Sequence, residues 1–164
     1  MKILSLIFPY KNYSASMSVL VLVLRLLFGG LMLWHGVSKI ENFEELVVGF
    51  PNPLGLGHRL SLCLVIIAEV FCSVAVIVGA FFRLALLPLI FSMCVAMFIV
   101  HNGQSFAAKE LAVIFLVIFV VLIFVGAGRF SLDNIIAARL YKERTAIAHR
   151  RQGSEPQADG EPHR

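Results

Sequence analysis

Four long apolar stretches constrain the fold of this chain more than any other feature of its sequence. A helix needs about 20 apolar residues to cross the hydrocarbon core of a bilayer, and each stretch is close to that length. The stretches occupy residues 17–37, 60–82, 84–100 and 111–127. Because a lone strand in lipid would leave its backbone groups without hydrogen-bond partners, we predict that all four are membrane-spanning helices.

The composition excludes a soluble domain. Of the 164 residues, 59% are hydrophobic and 15% are charged, whereas a soluble domain is about half apolar and about a quarter charged. A soluble chain of this length has too small an interior to bury so much apolar surface. The predicted fold class is therefore all-α, a polytopic membrane four-helix bundle.

The distribution of basic residues predicts how the bundle is oriented. An even number of spans places both termini on one side of the membrane. That side carries ten of the 14 Lys and Arg residues, namely Lys2, Lys11, Arg83, Arg129, Arg139, Lys142, Arg144, Arg150, Arg151 and Arg164. Because cytoplasmic loops carry an excess of Lys and Arg, we predict a multi-pass protein of the cytoplasmic (inner) membrane with both termini in the cytoplasm.

The segments outside the spans are predicted to lie at the membrane surface or in solution. Residues 1–16 form an N-terminal interfacial segment, because their apolar part is short and no small-residue cleavage site follows it. The four-span domain covers residues 17–140 and ends in an interfacial helix at about 132–140. Residues 141–164 carry many charges and few large apolar side chains, which predicts a disordered basic cytoplasmic tail.

Two charged side chains lie inside the predicted spans, Arg25 in the first and Glu69 in the second. Each costs about 2.5–3.5 kcal/mol to insert, so each needs a partner or a function. The rise of about 1.5 Å per helical residue gives the two side chains compatible depths, and we predict that they form an ion pair. Such a pair either locks the two spans together or forms the charged base of a ligand cavity.

Further polar residues are expected at the outer ends of the spans. They are His35 and Lys39 on the first span, His101 at the end of the third, and Lys109 and Glu110 at the start of the fourth. If these helix faces converge, they form the titratable wall of a cavity open to the outside. For Lys39, Lys109 and Glu110 the alternative is ordinary snorkelling at the interface. The apolar loop at 41–58, rich in Pro and Gly, is expected to lie back over this end of the bundle.

The sequence contains no self-sufficient catalytic or metal-binding motif. It lacks H-E-x-x-H, C-x-x-C-H, a Gly-rich phosphate loop and a nucleophile elbow. His35 and His101 lie on separate spans, which does not by itself indicate haem. Cys63, Cys72 and Cys94 lie in apolar runs without a C-x-x-C spacing, and we expect buried free thiols. No metal site is predicted, and whether the chain is an enzyme is left open.

In their order along the chain, these residues resemble the DoxX family of small four-span membrane proteins, over residues 19–137. Two motifs carry the resemblance: H-G-x-x-K at His35, Gly36 and Lys39, and G-x-G-x-x-S-x-D at Gly126, Gly128, Ser131 and Asp133. Further single positions match, namely Arg25, Glu69, Gly79, Arg83, His101, Lys109, Glu110 and Leu111. Members are similar to subunits of a thiosulfate:quinone oxidoreductase, and others are linked to membrane thiol and oxidative-stress systems. The resemblance implies a candidate site made of Arg25, His35, Lys39, Glu69 and His101. Without a cysteine pair, direct thiol exchange is not expected.

Three hypotheses for the function follow. In the leading one, the protein is a subunit or accessory of a quinone-linked redox system. Glu69 or His35 exchanges the proton that accompanies quinone reduction, while Arg25 holds Glu69 charged or stabilises oxyanion charge. In the second, Lys39 and Arg25 bind or help transport a small anion or a lipid headgroup. In the third, a non-catalytic scaffold recruits soluble partners through its tail.

The hypotheses differ in the partners that they predict. The leading one predicts the lipid bilayer, a quinone or another amphiphilic small molecule, and soluble redox proteins. Nucleic acid is not predicted, because the basic tail lacks interleaved aromatic residues beyond Tyr141. Homo-oligomerisation is left open.

Overall fold

The structure, a computed structural model, describes residues 14–139. Over this range it contains helices and turns but no strand, and four of the helices are long and apolar enough to cross a membrane. The helices are α1 (Ala15–Glu41), α2 (Phe43–Gly49), α3 (His58–Val78), α4 (Phe82–Val100), α5 (Phe106–Val125) and α6 (residues 132–139). The predicted all-α, four-helix fold is confirmed. The predicted tail at 141–164 and most of the predicted interfacial segment at 1–16 lie outside the described residues.

Two of the long helices contain a π-helical segment. In α3 the segment Ala68–Cys72 separates the α-helical parts His58–Ile67 and Ser73–Val78, and in α4 the segment Ala96–Val100 follows Phe82–Val95. A π segment inside an α-helix is rare and is frequently found at a functional site. The first segment contains Glu69, and the second is followed directly by His101.

The four long helices form a closed bundle in which α1 packs against α3, α3 against α4, α4 against α5, and α5 against α1. The buried core between them consists mainly of large apolar residues: Val21, Met32, Val76, Phe82, Leu86, Leu89, Phe115, Phe119 and Leu122. The outer faces are also apolar. Trp34, Phe71 and Phe124 are each at least 70% exposed. Helices that are apolar all round are typical of a bundle covered by lipid.

The buried face of α1 carries small residues where α3 approaches it. Arg25, Gly29, Met32 and Gly36 are all buried, at the spacing of three or four residues that defines one helix face. A Cβ added at Gly29 would lie 2.7 Å from Cγ1 of Ile77 on α3. The interpretation of these glycines as close-packing positions is confirmed.

The bundle has two distinct ends. The terminal end contains the start of α1, the α3–α4 turn and the exit from α5. The loop end contains the end of α1, residues 42–57 and the α4–α5 turn. At the terminal end, α3 stops at Gly79, whose φ of 75° is left-handed, so the helix ends four residues before the boundary predicted at residue 82.

Residues 50–57 fold back over the loop end and are attached to the start of α3. The His58 ring donates a hydrogen bond from Nδ1 to the carbonyl of Phe50. The side-chain oxygen of Asn52 accepts from the Gly57 N–H at 3.0 Å and from the Ser61 hydroxyl at 3.2 Å. The predicted fold-back of this loop is confirmed, and its apolar residues cover the bundle axis.

Candidate functional site

A cavity of about 550 Å³ lies at the loop end of the bundle, lined by the four long helices and roofed by residues 50–57. His35, Lys39, Glu69 and His101 supply its ionisable side chains. Phe91 and Phe115 stand among its apolar walls, together with Met32, Leu64, Val65, Pro88, Met93, Val95, Leu111 and Ala112. Its roof consists of Phe50, Pro51, Pro53, Leu54 and Leu56. The cavity is thus mostly apolar, with four ionisable side chains that come from α1, α3 and the end of α4.

Two of the ionisable side chains, Lys39 of α1 and Glu69 of α3, form an ion pair at the cavity. Nζ of Lys39 lies 2.6 Å from Oε2 of Glu69, and the two side chains are 25% and 4% exposed, respectively. A charge pair that is shielded from water interacts strongly. Because the two charges are opposite, Lys39 and Glu69 together add no net charge to the cavity wall.

The predicted ion pair between Arg25 and Glu69 is therefore wrong, because Lys39 is the partner of Glu69. Arg25 lies level with Val76 and Ile77, to whose carbonyls it donates hydrogen bonds. These residues come seven and eight positions after Glu69 along α3, or about 10–12 Å at 1.5 Å per residue. That separation places Arg25 at the other end of the bundle from the cavity.

Gly36 explains how Lys39 and Glu69 come together. A Cβ added at Gly36 would lie 2.8 Å from Cγ2 of Val70, 3.0 Å from Cβ of Glu69 and 3.2 Å from its carbonyl carbon. Helix α1 therefore touches the backbone of the α3 π segment at Glu69 itself. One turn later on α1, Lys39 reaches the carboxylate.

The two histidines of the cavity are held differently. The His35 ring packs edge-on against Phe115, with ring centroids 5.9 Å apart, and within residues 14–139 no hydrogen bond fixes its nitrogens. The ring of His101, which follows the α4 π segment, donates from Nδ1 to Oε1 of Gln104 at 2.9 Å. With Nδ1 protonated in neutral imidazole, Nε2 of His101 is free to accept a proton or a hydrogen bond.

The structure brings together four of the seven predicted site residues: His35, Lys39, Glu69 and His101. Lys109 and Glu110 lie in the first turns of α5 and do not line the cavity. Their neighbours Ala108 and Leu111 do line it. The aromatic residues Phe91 and Phe115 were not predicted as site residues. Their spacing in long apolar runs does not distinguish a cavity wall from a lipid-facing surface.

Arg25 serves a different structure at the terminal end. Arg25 is 1% exposed, and its guanidinium donates to four carbonyls: Val76 at 2.9 Å, Ile77 at 2.6 Å, Ala127 at 2.8 Å and Phe130 at 2.9 Å. The first two belong to the last turn of α3, where carbonyls lack helical partners. In a bilayer no water would satisfy them. Arg25 therefore joins the end of α3 to the exit from α5.

Asp133 completes this terminal cluster, which we define as Arg25, Gly79, Ser131 and Asp133. The carboxylate accepts from the N–H groups of Phe81 and Phe82 at 2.8 Å each, and so caps the start of α4. The Asp133 N–H donates to the Gly79 carbonyl at 3.0 Å. Ser131 caps α6 by accepting from the Asn134 N–H at 3.1 Å. The Ser131 and Asp133 side chains of the G-x-G-x-x-S-x-D motif therefore stabilise the starts of α6 and α4.

A metal centre is not formed by the part of the chain that the structure describes: no group of three or more His, Cys, Asp and Glu residues could hold an ion there. Cys63, Cys72 and Cys94 are free and half-buried. The chemistry of the cavity therefore rests on one carboxylate, one ammonium group and two imidazoles.

Four apolar helices that span a membrane and surround a partly polar cavity define a small integral membrane protein. A family model described as DoxX matches residues 20–102, just over half of the chain, and the chain belongs to the DoxX family. The matched range includes every ionisable residue of the cavity as well as Arg25. Among curated proteins and among solved structures, none matches the chain.

Proposed function

We propose that the loop-end cavity binds a quinone and that the protein is a subunit or accessory of a quinone-linked membrane redox system. One observation carries the proposal: a cavity of about 550 Å³ combines aromatic and aliphatic walls with the Lys39–Glu69 ion pair and two histidines. Small-molecule sites are of about 300–1,000 Å³, mostly apolar, with a few convergent polar groups. A quinone ring, apolar except at its two oxygens, has the matching chemistry.

Each ionisable group has a role in this chemistry. A quinone oxygen accepts a hydrogen bond from the Lys39 ammonium, whose charge also stabilises the oxyanion that forms on reduction. A quinol hydroxyl donates to Glu69 or to Nε2 of His101. Conversion of quinone to quinol takes up two electrons and two protons. The electrons come from a reduced redox protein and the two protons come from water, and Glu69 and His35 each take up a proton and pass it to a quinone oxygen.

Binding of a small anion is less well supported. The Lys39 charge is compensated by Glu69 at 2.6 Å, and Arg25 is occupied by backbone carbonyls away from the cavity. No uncompensated positive charge remains among the lining residues that the structure describes, and an anion would bring its own desolvation cost.

The charges at the two ends of the bundle support the proposed orientation. Of the 14 Lys and Arg residues in the sequence, ten precede the first span, lie at the α3–α4 turn or follow the last span. The segments of the loop end carry only three, Lys39, Arg59 and Lys109. By the positive-inside rule, the terminal end faces the cytoplasm of a cytoplasmic (inner) membrane, and the cavity lies in the outer half of the bilayer.

Replacement of Glu69 by Gln tests the proposal. Without the carboxylate, Lys39 loses the partner that holds its ammonium at the cavity, and the proton carrier is removed. We expect the affinity for decylubiquinone to fall about tenfold or more, since a lost charged hydrogen bond is worth about 1.5–3 kcal/mol. The affinity is measured by titration of the purified protein in mild detergent.

Glu110→Gln is the matched control, because Glu110 is exposed and lies at the same end of the bundle but outside the cavity. It should bind decylubiquinone like the unaltered protein. Equal affinity of the Glu69→Gln and Glu110→Gln proteins would contradict the proposed site.

A further inference from the structure

The roof closes the cavity along the bundle axis. Residues 50–57 are attached to α3 by the hydrogen bonds of His58, Asn52 and Ser61, and the apolar residues of the roof line the cavity from above. A ligand that came along the axis would have to displace this segment. A ligand therefore has to enter through a side wall of the bundle, between two helices.

Exposed apolar side chains of α3 and α4 line the cavity, as does Leu111 at the start of α5. Leu64 of α3 is 45% exposed and Phe91 of α4 is 56% exposed, although both line the cavity. Pro88, one turn from Phe91, also lines the cavity and is exposed. Side chains that face the cavity and the outside at the same time mark the rim of an opening.

The packing of the helices explains why the opening lies there. Helix α4 contacts α3 through the π segment Ala68–Cys72 and the following part Ser73–Val78. The first part of α3, His58–Ile67, packs instead against α1 and α2, whereas the π segment at the end of α4 packs against α5. Helices α3 and α4 thus take different neighbours towards the loop end, and the gap between them leads into the cavity.

The depth of the opening places it in hydrocarbon. Helix α4 has 19 residues, or about 28 Å at 1.5 Å per residue. Phe91 lies nine residues before its loop end, about 14 Å along the helix, which is near the middle. In a bilayer about 30 Å thick, a half-exposed Phe at that depth would face the lipid acyl chains.

We propose that the cavity opens sideways into the bilayer between α3 and α4, and that the hydrocarbon chain of its ligand lies in this opening between Leu64 and Phe91. The inference rests on the proposed function and adds the class of ligand: a ring with a long alkyl or isoprenoid chain, taken up from the membrane. The ring lies against Lys39 and Glu69. The chain remains in apolar surroundings and requires no desolvation of polar groups.

Leu64→Trp narrows the opening and tests the inference with two quinones of the same ring, one with a ten-carbon chain and one without a chain. We expect the variant to bind the chain-bearing quinone about tenfold more weakly and the chainless quinone within about twofold of the unaltered protein, because only the chain meets the added indole. Leu84→Trp is the control, since Leu84 of α4 is 56% exposed and does not line the cavity.

The outcomes separate the inference from the proposed function. If Leu64→Trp weakens both quinones equally, or neither, the sideways opening is overturned while quinone binding stands. If the unaltered protein binds neither quinone, the proposed function fails, and the inference fails with it.

A second measurement does not depend on the folding of a variant. A quinone with a photoreactive diazirine on its chain is bound to the unaltered protein, and the labelled residues are identified by mass spectrometry. Labels on α3 near Leu64 and on α4 near Phe91 are expected. Labels confined to the roof at 50–57 would overturn the opening.

Discussion

Arg25→Met is expected to lower the free energy of unfolding by about 2–4 kcal/mol, since a buried polar group without a partner costs about 1–3 kcal/mol. Four carbonyls lose their partner, of which that of Val76 forms a buried hydrogen bond and the other three form half-buried ones. The guanidinium joins the carbonyls of Val76 and Ile77 to those of Ala127 and Phe130. Unfolding is followed by circular dichroism of the purified protein in mild detergent during titration with a denaturing detergent.

Two companion variants define the cause. Arg129→Met removes an exposed arginine of the same end and should change the free energy of unfolding by less than about 0.5 kcal/mol. Arg25→Lys keeps the charge but loses the planar fork of donors, and should lie between the two. An Arg25→Met protein as stable as Arg129→Met would contradict the structural role.

The same variant distinguishes a structural from a ligand-binding role for Arg25. Because the guanidinium lies at the terminal end and the cavity at the loop end, the folded Arg25→Met protein should bind decylubiquinone within about twofold of the unaltered protein, as expected for distant sites. A large loss of affinity in the folded protein would return Arg25 to the site, where the sequence pattern first placed it.

Gly36→Ala is expected to destabilise the bundle by about 1–3 kcal/mol, as overpacking of a tight contact does. The added Cβ would lie 2.8 Å from Val70 Cγ2 and 3.0 Å from Glu69 Cβ, with the backbone carbon of Glu69 at 3.2 Å. Because the backbone of the π segment stands in the way, α1 and α3 must separate. Lys39 and Glu69 then move apart, so quinone affinity should fall with stability.

Gly30→Ala is the matched control for this prediction. Gly30 lies on the same helix, and a Cβ there meets nothing within 4 Å. Ala is favoured over Gly in a helix by about 0.5–1 kcal/mol, so Gly30→Ala should be neutral or slightly stabilising and should leave quinone affinity unchanged. If the Gly36 and Gly30 variants behaved alike, the close contact of α1 with Glu69 would be contradicted.

Much of the fold was predictable because the bilayer imposes a strong pattern. A stretch of about 20 apolar residues with at most one charge predicts a span, and this pattern located all four long helices. The start of the fourth was placed too late, at residue 111 instead of Phe106. The charges of Lys109 and Glu110 place the predicted start of the fourth span after them. However, charged side chains are easily accommodated in the first turns of a helix at the interface.

The candidate site was predictable only in part. Topology correctly brought His35, Lys39 and His101 to one end of the bundle. The partner of Glu69 was wrong because Arg25 and Lys39 lie on the same side of α1, and depth counted along straight helices does not decide between them. The carbonyl partners of Arg25 are backbone groups, which leave no mark on a sequence, and the π segments that carry Glu69 and precede His101 have no sequence signature either.

Native mass spectrometry of the protein extracted in mild detergent, beside its Glu69→Gln variant, tests the central claim most directly. We expect a retained mass of the size of a quinone on the unaltered protein and its loss from the variant. A protein that carries no small molecule and instead co-purifies with soluble subunits would contradict quinone binding at Glu69. In that case the ion pair of Lys39 and Glu69 would serve only to hold α1 and α3 together, in a scaffold.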